Sequence, residues 1–304
     1  MKFNPAKLAE STREREAMRL VTVQTAQGPR AAAEYQGRYV DLNAADSSLP
    51  TSVKGLLALG QAGLDRAKAA LPNGSVSYDK ATVTLLAPVP DATKIVCLGL
   101  NYRDHAEESG MPIPEEPILF SKYPTSLIGP GATIELPSVS TQVDYEAELF
   151  YVIGKRGRDI PKSEAMSYIA GYTVGHDVSA RDWQLNKPGK QWMGGKTFDT
   201  FAPIGPELVT LDELDDPNSL GIRLRLNGVT MQDSSTNQLI FKADETIAYI
   251  SQIFTLEPGD LIFTGTPPGV GMARKPPVFL KAGDVVEVEI DGLGTLSNPV
   301  GLRK

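Results

Sequence analysis

Asp144-Tyr145-Glu146-Ala147-Glu148-Leu149-Phe150-Tyr151-Val152-Ile153-Gly154 is the stretch that decides the fold. The apolar run from Leu149 to Ile153 predicts a strand that stops at Gly154. In a strand, residues i and i+2 share a face, so Glu146 and Glu148 point the same way, roughly 7 Å apart at the backbone. Two carboxylates on the wet face of an antiparallel strand is the simplest explanation, and from these two residues alone it is the better one. Buried together, they would repel each other and resist desolvation. A hard divalent cation with oxygen ligands removes that conflict and asks for a third carboxylate. Asp177 is the candidate, at the end of the next strand-like run, Gly171-Tyr172-Thr173-Val174-Gly175-His176-Asp177. Between the two runs, Ile160-Pro161 opens an expected helix whose apolar positions continue to Ala170. Strand, helix and strand then read as a crossover that returns Asp177 beside Glu146 and Glu148.

The flanks read as α+β, mostly β. Upstream, residues 18–24, 31–35 and 38–42 predict strands, and 52–59 and 64–71 predict helices. They make a small N-terminal α+β domain, 1–87, closed by the Pro-rich connector Ala87-Pro88-Val89-Pro90-Asp91. Residues 92–304 form the second, larger domain. There, strands at 94–98, 117–122, 222–226, 229–232 and 285–290 are joined by turns such as Asn227-Gly228. Helices are expected at 246–254 and around the short crossover. Many short strands with few helices predict a rolled or sandwiched sheet and not a doubly wound one.

Composition narrows the function. A chain of 304 residues with net charge −7 argues against nucleic acid as a partner. No apolar run approaches the ~20 residues of a membrane span. The single Cys97 excludes an intramolecular disulfide and a multi-cysteine zinc site, and within its apolar run it reads as a buried structural thiol. Only two histidines, His105 and His176, are present, so one chain cannot build a three-histidine site. The first twenty residues lack an apolar signal core. Their arginines are interleaved with Glu10, Glu14 and Glu16, unlike an acid-poor transit peptide, so a short amphipathic extension on a cytoplasmic protein is expected.

Three further stretches carry chemistry. His105 and Glu108, three apart, share a face on a helical turn, where a carboxylate orients an imidazole for proton transfer. The Pro/Gly-rich loop 109–117 beside them has the composition of a lid. Read alone, the same pair is an ordinary surface ion pair. Arg181 and Gln184 follow Asp177 and are suited to a substrate carboxylate or carbonyl; structural pairing of Arg181 and Asp182 is the competing explanation. His176 precedes a ligand and points away from it. In Gly194-Gly195-Lys196-Thr197 the glycines let backbone approach a ligand and Lys196 brings positive charge; the glycine spacing of a P-loop is absent. Thr264-Gly265-Thr266-Pro267 ends a strand with two hydroxyls.

Taken in order, five motifs resemble the fumarylacetoacetate hydrolase (FAH) family, closest to its domain-containing proteins and their bacterial relatives. They are Gly99-Leu100-Asn101-Tyr102-Arg103-Asp104-His105, Asp144-Tyr145-Glu146-Ala147-Glu148, Gly171 to Asp182, Gly195-Lys196-Thr197-Phe198-Asp199-Thr200, and Thr264-Gly265-Thr266-Pro267-Pro268-Gly269-Val270-Gly271. The resemblance implies a mixed β-sandwich roll, a homodimer, and Mg²⁺ or Mn²⁺ on Glu146, Glu148 and Asp177. It implies that His105 and Glu108 form a proton-transferring dyad on a mobile lid, with Lys196 as a further catalytic group. Arg181, Gln184, Lys196, Thr266 and Lys122 fall at substrate-contact positions.

The expected substrate is a small anionic 2-oxo acid, which chelates the ion and reacts through an enolate at C3. Hydrolysis of the C3–C4 bond of an acylpyruvate, fumarylpyruvate- or acetylpyruvate-like, is the leading expectation. Oxaloacetate tautomerisation or decarboxylation is the alternative, and a 2-oxo sugar acid lyase or hydratase a further one. A silent scaffold on the same fold is disfavoured by the intact acidic and basic residues.

Overall fold

The structure, a computed structural model, describes residues 18–214 and 216–303, save the side chain of Lys190; the extension expected before Met18 lies outside the described residues. A large mixed sheet runs Ser77–Asp79, Arg38–Asp41, Gly28–Tyr35, Arg19–Thr25, Ala202–Thr210, Ile169–His176, Ala147–Ile153, Leu261–Phe263, Ile95–Gly99, Ile118–Ser121. A second sheet runs Val229–Ser235, Gly221–Leu226, Val285–Ile290, Gly294–Leu302, Ile134–Leu136. The architecture is mostly β, as the short strands predict. Among the described residues no helix is long and apolar enough to cross a membrane.

The Ala147–Ile153 strand shows why its sequence is apolar throughout. Leu149, Tyr151 and Ile153 enter the core between the two sheets, with Ile222, Leu224, Val286 and Val288. Phe150 and Val152 enter a second core with Leu56, Leu57 and Ala67 of the N-terminal helices Val53–Ala58 and Gly60–Ala70. A strand buried on both faces loses its polar alternation. Glu146 and Glu148 share the Phe150 face at its end, so they are buried, and the wet-face explanation fails.

The crossover is not formed. Lys162–Ala165 is a single helical turn, followed by a 3₁₀ turn at Met166–Tyr168, and Ile169 and Ala170 already belong to the next strand. One helical turn is too short to run back along the strand and return the chain parallel to it. Ala147–Ile153 and Ile169–His176 instead pair antiparallel, with Ala147 opposite His176 and Glu148 opposite Gly175. Asp177 arrives beside Glu146 by this hairpin-like return.

The division at 1–87 and 92–304 we retain as a proposal about sequence units. In space Arg19 and Leu20 pair with Val209 and Leu208 in one continuous sheet. The connector is buried, with Ala87 and Val89 in the second core, and Pro88 accepts a hydrogen bond from the Thr22 hydroxyl at 2.8 Å. Glu207 joins the two parts: it accepts from Arg19 at 2.9 Å and from the Tyr39 hydroxyl at 2.8 Å, with Lys80 at 3.4 Å. Burial alone would raise its pKa, but Arg19, Tyr39 and Lys80 hold it below the usual carboxylate range. A group with a depressed folded pKa adds stability above its unfolded value, about 4.3, that is lost as pH falls through the folded value. Glu207→Gln should therefore cost about 1–3 kcal/mol at pH 7. In denaturant titrations the gap to the parent should shrink as the pH falls below the unfolded value; a gap that persists unchanged into acid would mean that Glu207 acts by shape alone.

Candidate active site

The antiparallel ladder continues past the strand ends and builds the site. Val143–Asp144 pairs with Ser179–Ala180, and the Asp177 N–H donates to the Glu146 carbonyl at 2.9 Å. Carboxylate oxygens of Glu146, Glu148 and Asp177 thereby come within 4.8 Å of one another, all three buried.

Three cations surround them. Lys196 donates to Glu146 and to Asp177, both at 2.8 Å. The Arg181 guanidinium reaches Asp144 through Nε at 2.8 Å and Glu146 through Nη2 at 2.7 Å. Its Nη1 donates to Gln184 Oε1 at 2.9 Å. Lys122 Nζ lies 2.6 Å from Asp177 Oδ1. Four carboxylates, counting Asp144, face three cations, leaving one net negative charge. A divalent ion would turn that to one net positive charge, which suits an anionic ligand.

The imbalance falls on Glu148. It accepts from the Gly265 N–H at 2.8 Å, but among the described residues no lysine or arginine lies within ion-pair distance of it. Burial, together with the charges of Asp177 and Glu146, pushes its pKa well above the usual range. Glu146 behaves oppositely: burial opposes ionisation, yet Lys196 and Arg181 bring its pKa down to about 2. Burial would lower the Lys196 pKa, but Asp177 and Glu146 raise it, so the amine stays charged. An all-oxygen set with one uncompensated carboxylate fits a hard divalent cation.

His105 and Glu108 are brought together. They lie on the helix Arg103–Ser109, with His105 Nδ1 3.0 Å from Glu108 Oε2. The other Glu108 oxygen accepts from the Gly269 N–H at 2.9 Å. Gly269 has φ +101°, and a side chain there would run into the Met231 carbonyl, so only glycine brings its amide this close. Burial would raise the Glu108 pKa, but the His105 and Gly269 hydrogen bonds lower it. An ionised Glu108 puts the imidazole proton on Nδ1 and leaves Nε2 as a free base. Asn101 fixes the helix entry, donating to the carbonyls of Thr264 and Phe241 and accepting from the Phe241 N–H. Loop 110–117 has neither helix nor strand, with Met111 and Ile113 exposed.

Several expectations change. Lys122 does not face the opening: its side chain is fully buried and donates to the carbonyls of Val178, Phe201 and Lys196 behind Asp177. It is an internal counter-ion, and Lys122→Met should cost about 3–5 kcal/mol in chemical denaturation. Parent-like stability with lost substrate affinity would return Lys122 to the substrate contacts. Gly195 serves packing, since a Cβ there would strike the backbone of Ala180 and of Gln184 in the preceding helix Arg181–Asn186, whereas Gly194 faces open space. Arg181 makes structural pairs, as the competing explanation expects: its guanidinium is committed to Asp144, Glu146 and Gln184, while Asp182 accepts from the Ser140 hydroxyl. His176 is buried, and burial with nearby Lys122 pushes its pKa down to about 3, so it is neutral. Cys97 is buried, and burial raises its thiol pKa well above the usual value. Asp144, Asn101 and Gln232 carry the site without having been singled out. Asp144 was legible in the i, i+2 spacing that it continues from Glu148 and Glu146.

An acidic triad, a charged lysine and a His–Glu pair on a mixed β roll define a metal-suited enzyme site. The chain belongs to the fumarylacetoacetate hydrolase family: the profile described as fumarylacetoacetate (FAA) hydrolase C-terminal matches residues 94–301. It is 53% identical over 287 residues to the Xenopus laevis protein named oxaloacetate tautomerase fahd2, mitochondrial, covering 93% of this chain and 90% of that one. The human oxaloacetate tautomerase FAHD2A, mitochondrial, is 51% identical over 264 residues, covering 87% and 84%. Among solved structures, the fumarylacetoacetate hydrolase of Exiguobacterium antarcticum superposes with a TM-score of 0.80 at 35% identity, covering 94% of this chain and all of that one. The fold is thus the FAH type, and the protein is an FAH-family enzyme. The expectation of a cytoplasmic protein is overturned, because these curated relatives are named as mitochondrial. Acidic residues near an N-terminus do not decide the compartment.

Proposed function

We propose that the protein is a divalent-metal-dependent oxaloacetate keto–enol tautomerase. The carrying observation is the uncompensated Glu148 beside Glu146 and Asp177, in a cluster whose charge an added divalent ion turns positive. The names of the relatives favour tautomerisation over hydrolysis. Glu146, Glu148 and Asp177 would hold Mg²⁺ or Mn²⁺. Held there, such an ion would supply Lewis-acid stabilisation to an enolising 2-oxo acid.

The chain's own residues do the rest. Lys196 and Arg181 keep positive charge beside the developing oxyanion. Gln184 and Thr266 orient the substrate carboxylate. His105 Nε2 takes a proton from C3 of the keto form, and Glu108 stabilises the imidazolium. Return of that proton to the 2-oxygen completes the enol, and the reverse sequence consumes it.

The same dyad favours a second reading, C–C hydrolysis of an acylpyruvate, in which His105 Nε2 deprotonates a water that adds to the 4-oxo carbon. Oxaloacetate has a carboxylate at that carbon and cannot follow this route. We also propose a homodimer, on the family resemblance; light scattering measures it.

The test follows oxaloacetate enol absorbance with Mg²⁺, with Mn²⁺ and with chelator, beside acetylpyruvate and fumarylpyruvate. Metal-dependent collapse of the enol signal with stable diketo acids is expected. Pyruvate and a carboxylic acid released from a diketo acid, with enol decaying at the buffer rate, would make the protein a hydrolase.

A further inference from the structure

We propose that Gln232 is a positioning residue of this site, which compels the Thr266 hydroxyl to present its proton to the substrate carboxylate. Gln232 sits in the Val229–Ser235 strand and is 1% exposed, so water does not replace its partners. Its amide orientation follows from groups that have no choice of role. The Ala147 N–H, between Glu146 and Glu148, can only donate, and Gln232 Oε1 accepts from it at 2.8 Å. The Pro267 carbonyl can only accept, and Gln232 Nε2 donates to it at 2.8 Å. The second Nε2 proton goes to Thr266 Oγ1 at 2.9 Å. Thr266 therefore accepts from Gln232 and keeps its own proton for another partner.

Gln184 is set in the same way. Arg181 Nη1 can only donate, so Gln184 Oε1 must face it and the Gln184 N–H groups are left to donate elsewhere. Both uncharged contacts thus offer donors, which favour an anionic oxygen and reject an ammonium group, which can only donate. Gln232 also ties the backbone of the carboxylate segment to the loop carrying Thr266, so one side chain sets the position of both halves of the site.

The inference rests on the proposed 2-oxo acid chemistry, and a double-mutant cycle tests it separately. Oxalate, a planar dianion resembling the carboxylate and 2-oxygen of an enolate, is titrated calorimetrically into Mg²⁺-loaded parent, Gln232→Met, Thr266→Val and the double variant. Each single change should weaken oxalate binding about 10-fold or more, as expected for a hydrogen bond to a charged group. The double variant should bind no worse than Thr266→Val, and KM for oxaloacetate should rise more than kcat falls. Additive losses, or equal oxalate affinity with only Mg²⁺ affinity and melting temperature lowered, would reduce Gln232 to a structural role. If Gln232→Met does not fold, Gln232→Glu keeps an oxygen for Ala147 but turns an acceptor toward Thr266, and the same cycle is read above neutral pH. Failure of the parent to bind oxalate overturns the inference. Failure of the parent to turn over oxaloacetate overturns the tautomerase reading, while the oxalate cycle still decides on Gln232.

Discussion

Glu148→Gln weakens divalent-cation binding by more than about a hundredfold, since even a change in an outer partner of a metal ligand costs 10–100-fold. Oxaloacetate tautomerisation falls with it to the level of the chelated parent. The amide oxygen of Gln still accepts from the Gly265 N–H, so the backbone at the end of Leu261–Phe263 is kept. What is lost is the one carboxylate whose charge no lysine or arginine in the site answers. Burying an unpaired charge is costly, so the metal-free variant should be at least as stable as the metal-free parent. Glu146→Gln gives the contrast. Lys196 and Arg181 both depend on Glu146, and removing it strands buried cations and lowers stability. Calorimetric titration with Mn²⁺ and thermal melts of the chelated proteins separate the two. Parent-like Mn²⁺ affinity in Glu148→Gln would take Glu148 out of the ion-holding set.

Those contrasting fates were only half visible in the chain. The i, i+2 spacing places Glu146 and Glu148 on one face, and the apolar run after them predicts the strand. Periodicity does not tell one buried face from two, so the depth of the carboxylates came from packing against the N-terminal helices. The antiparallel return of Asp177 reads in the sequence as a crossover, because the apolar positions 165–170 fit a helix and the start of a strand equally well. Lys122 illustrates a different limit. A lysine before Tyr123 looks like any surface lysine, and it is the Asp177 carboxylate together with the converging Val178, Lys196 and Phe201 carbonyls that makes a buried cation tolerable there. Gln232 sits in a hairpin strand whose neighbours Met231 and Asp233 are more exposed, so nothing local marks it. Long-range hydrogen bonds of this kind leave no period in the sequence. The His105–Glu108 pair was legible because three residues on a helix is a local distance.

His105→Ala should lower kcat for oxaloacetate tautomerisation by about a hundredfold or more, the usual contribution of a positioned general base, with Mn²⁺ affinity unchanged. Glu108 sharpens the test. Gly269 N–H can only donate, so in Glu108→Gln the amide oxygen must remain toward it and the amide nitrogen must face His105 Nδ1. That nitrogen donates to Nδ1 and forces the imidazole proton onto Nε2, which then cannot accept a proton from C3. Glu108→Gln should therefore be nearly as damaging as His105→Ala. Glu108→Ala, which leaves the tautomer free, should be milder. A simple surface ion pair predicts the reverse order, because the amide is the more conservative change. Parent-like enol decay in His105→Ala would mean that the proton leaves C3 without the dyad. Lys196 is then a poor substitute as base, since Asp177 and Glu146 hold its amine charged against the burial that would neutralise it. The remaining base would be a solvent hydroxide admitted past the displaced helix, and the rate would rise in proportion to hydroxide concentration with no plateau.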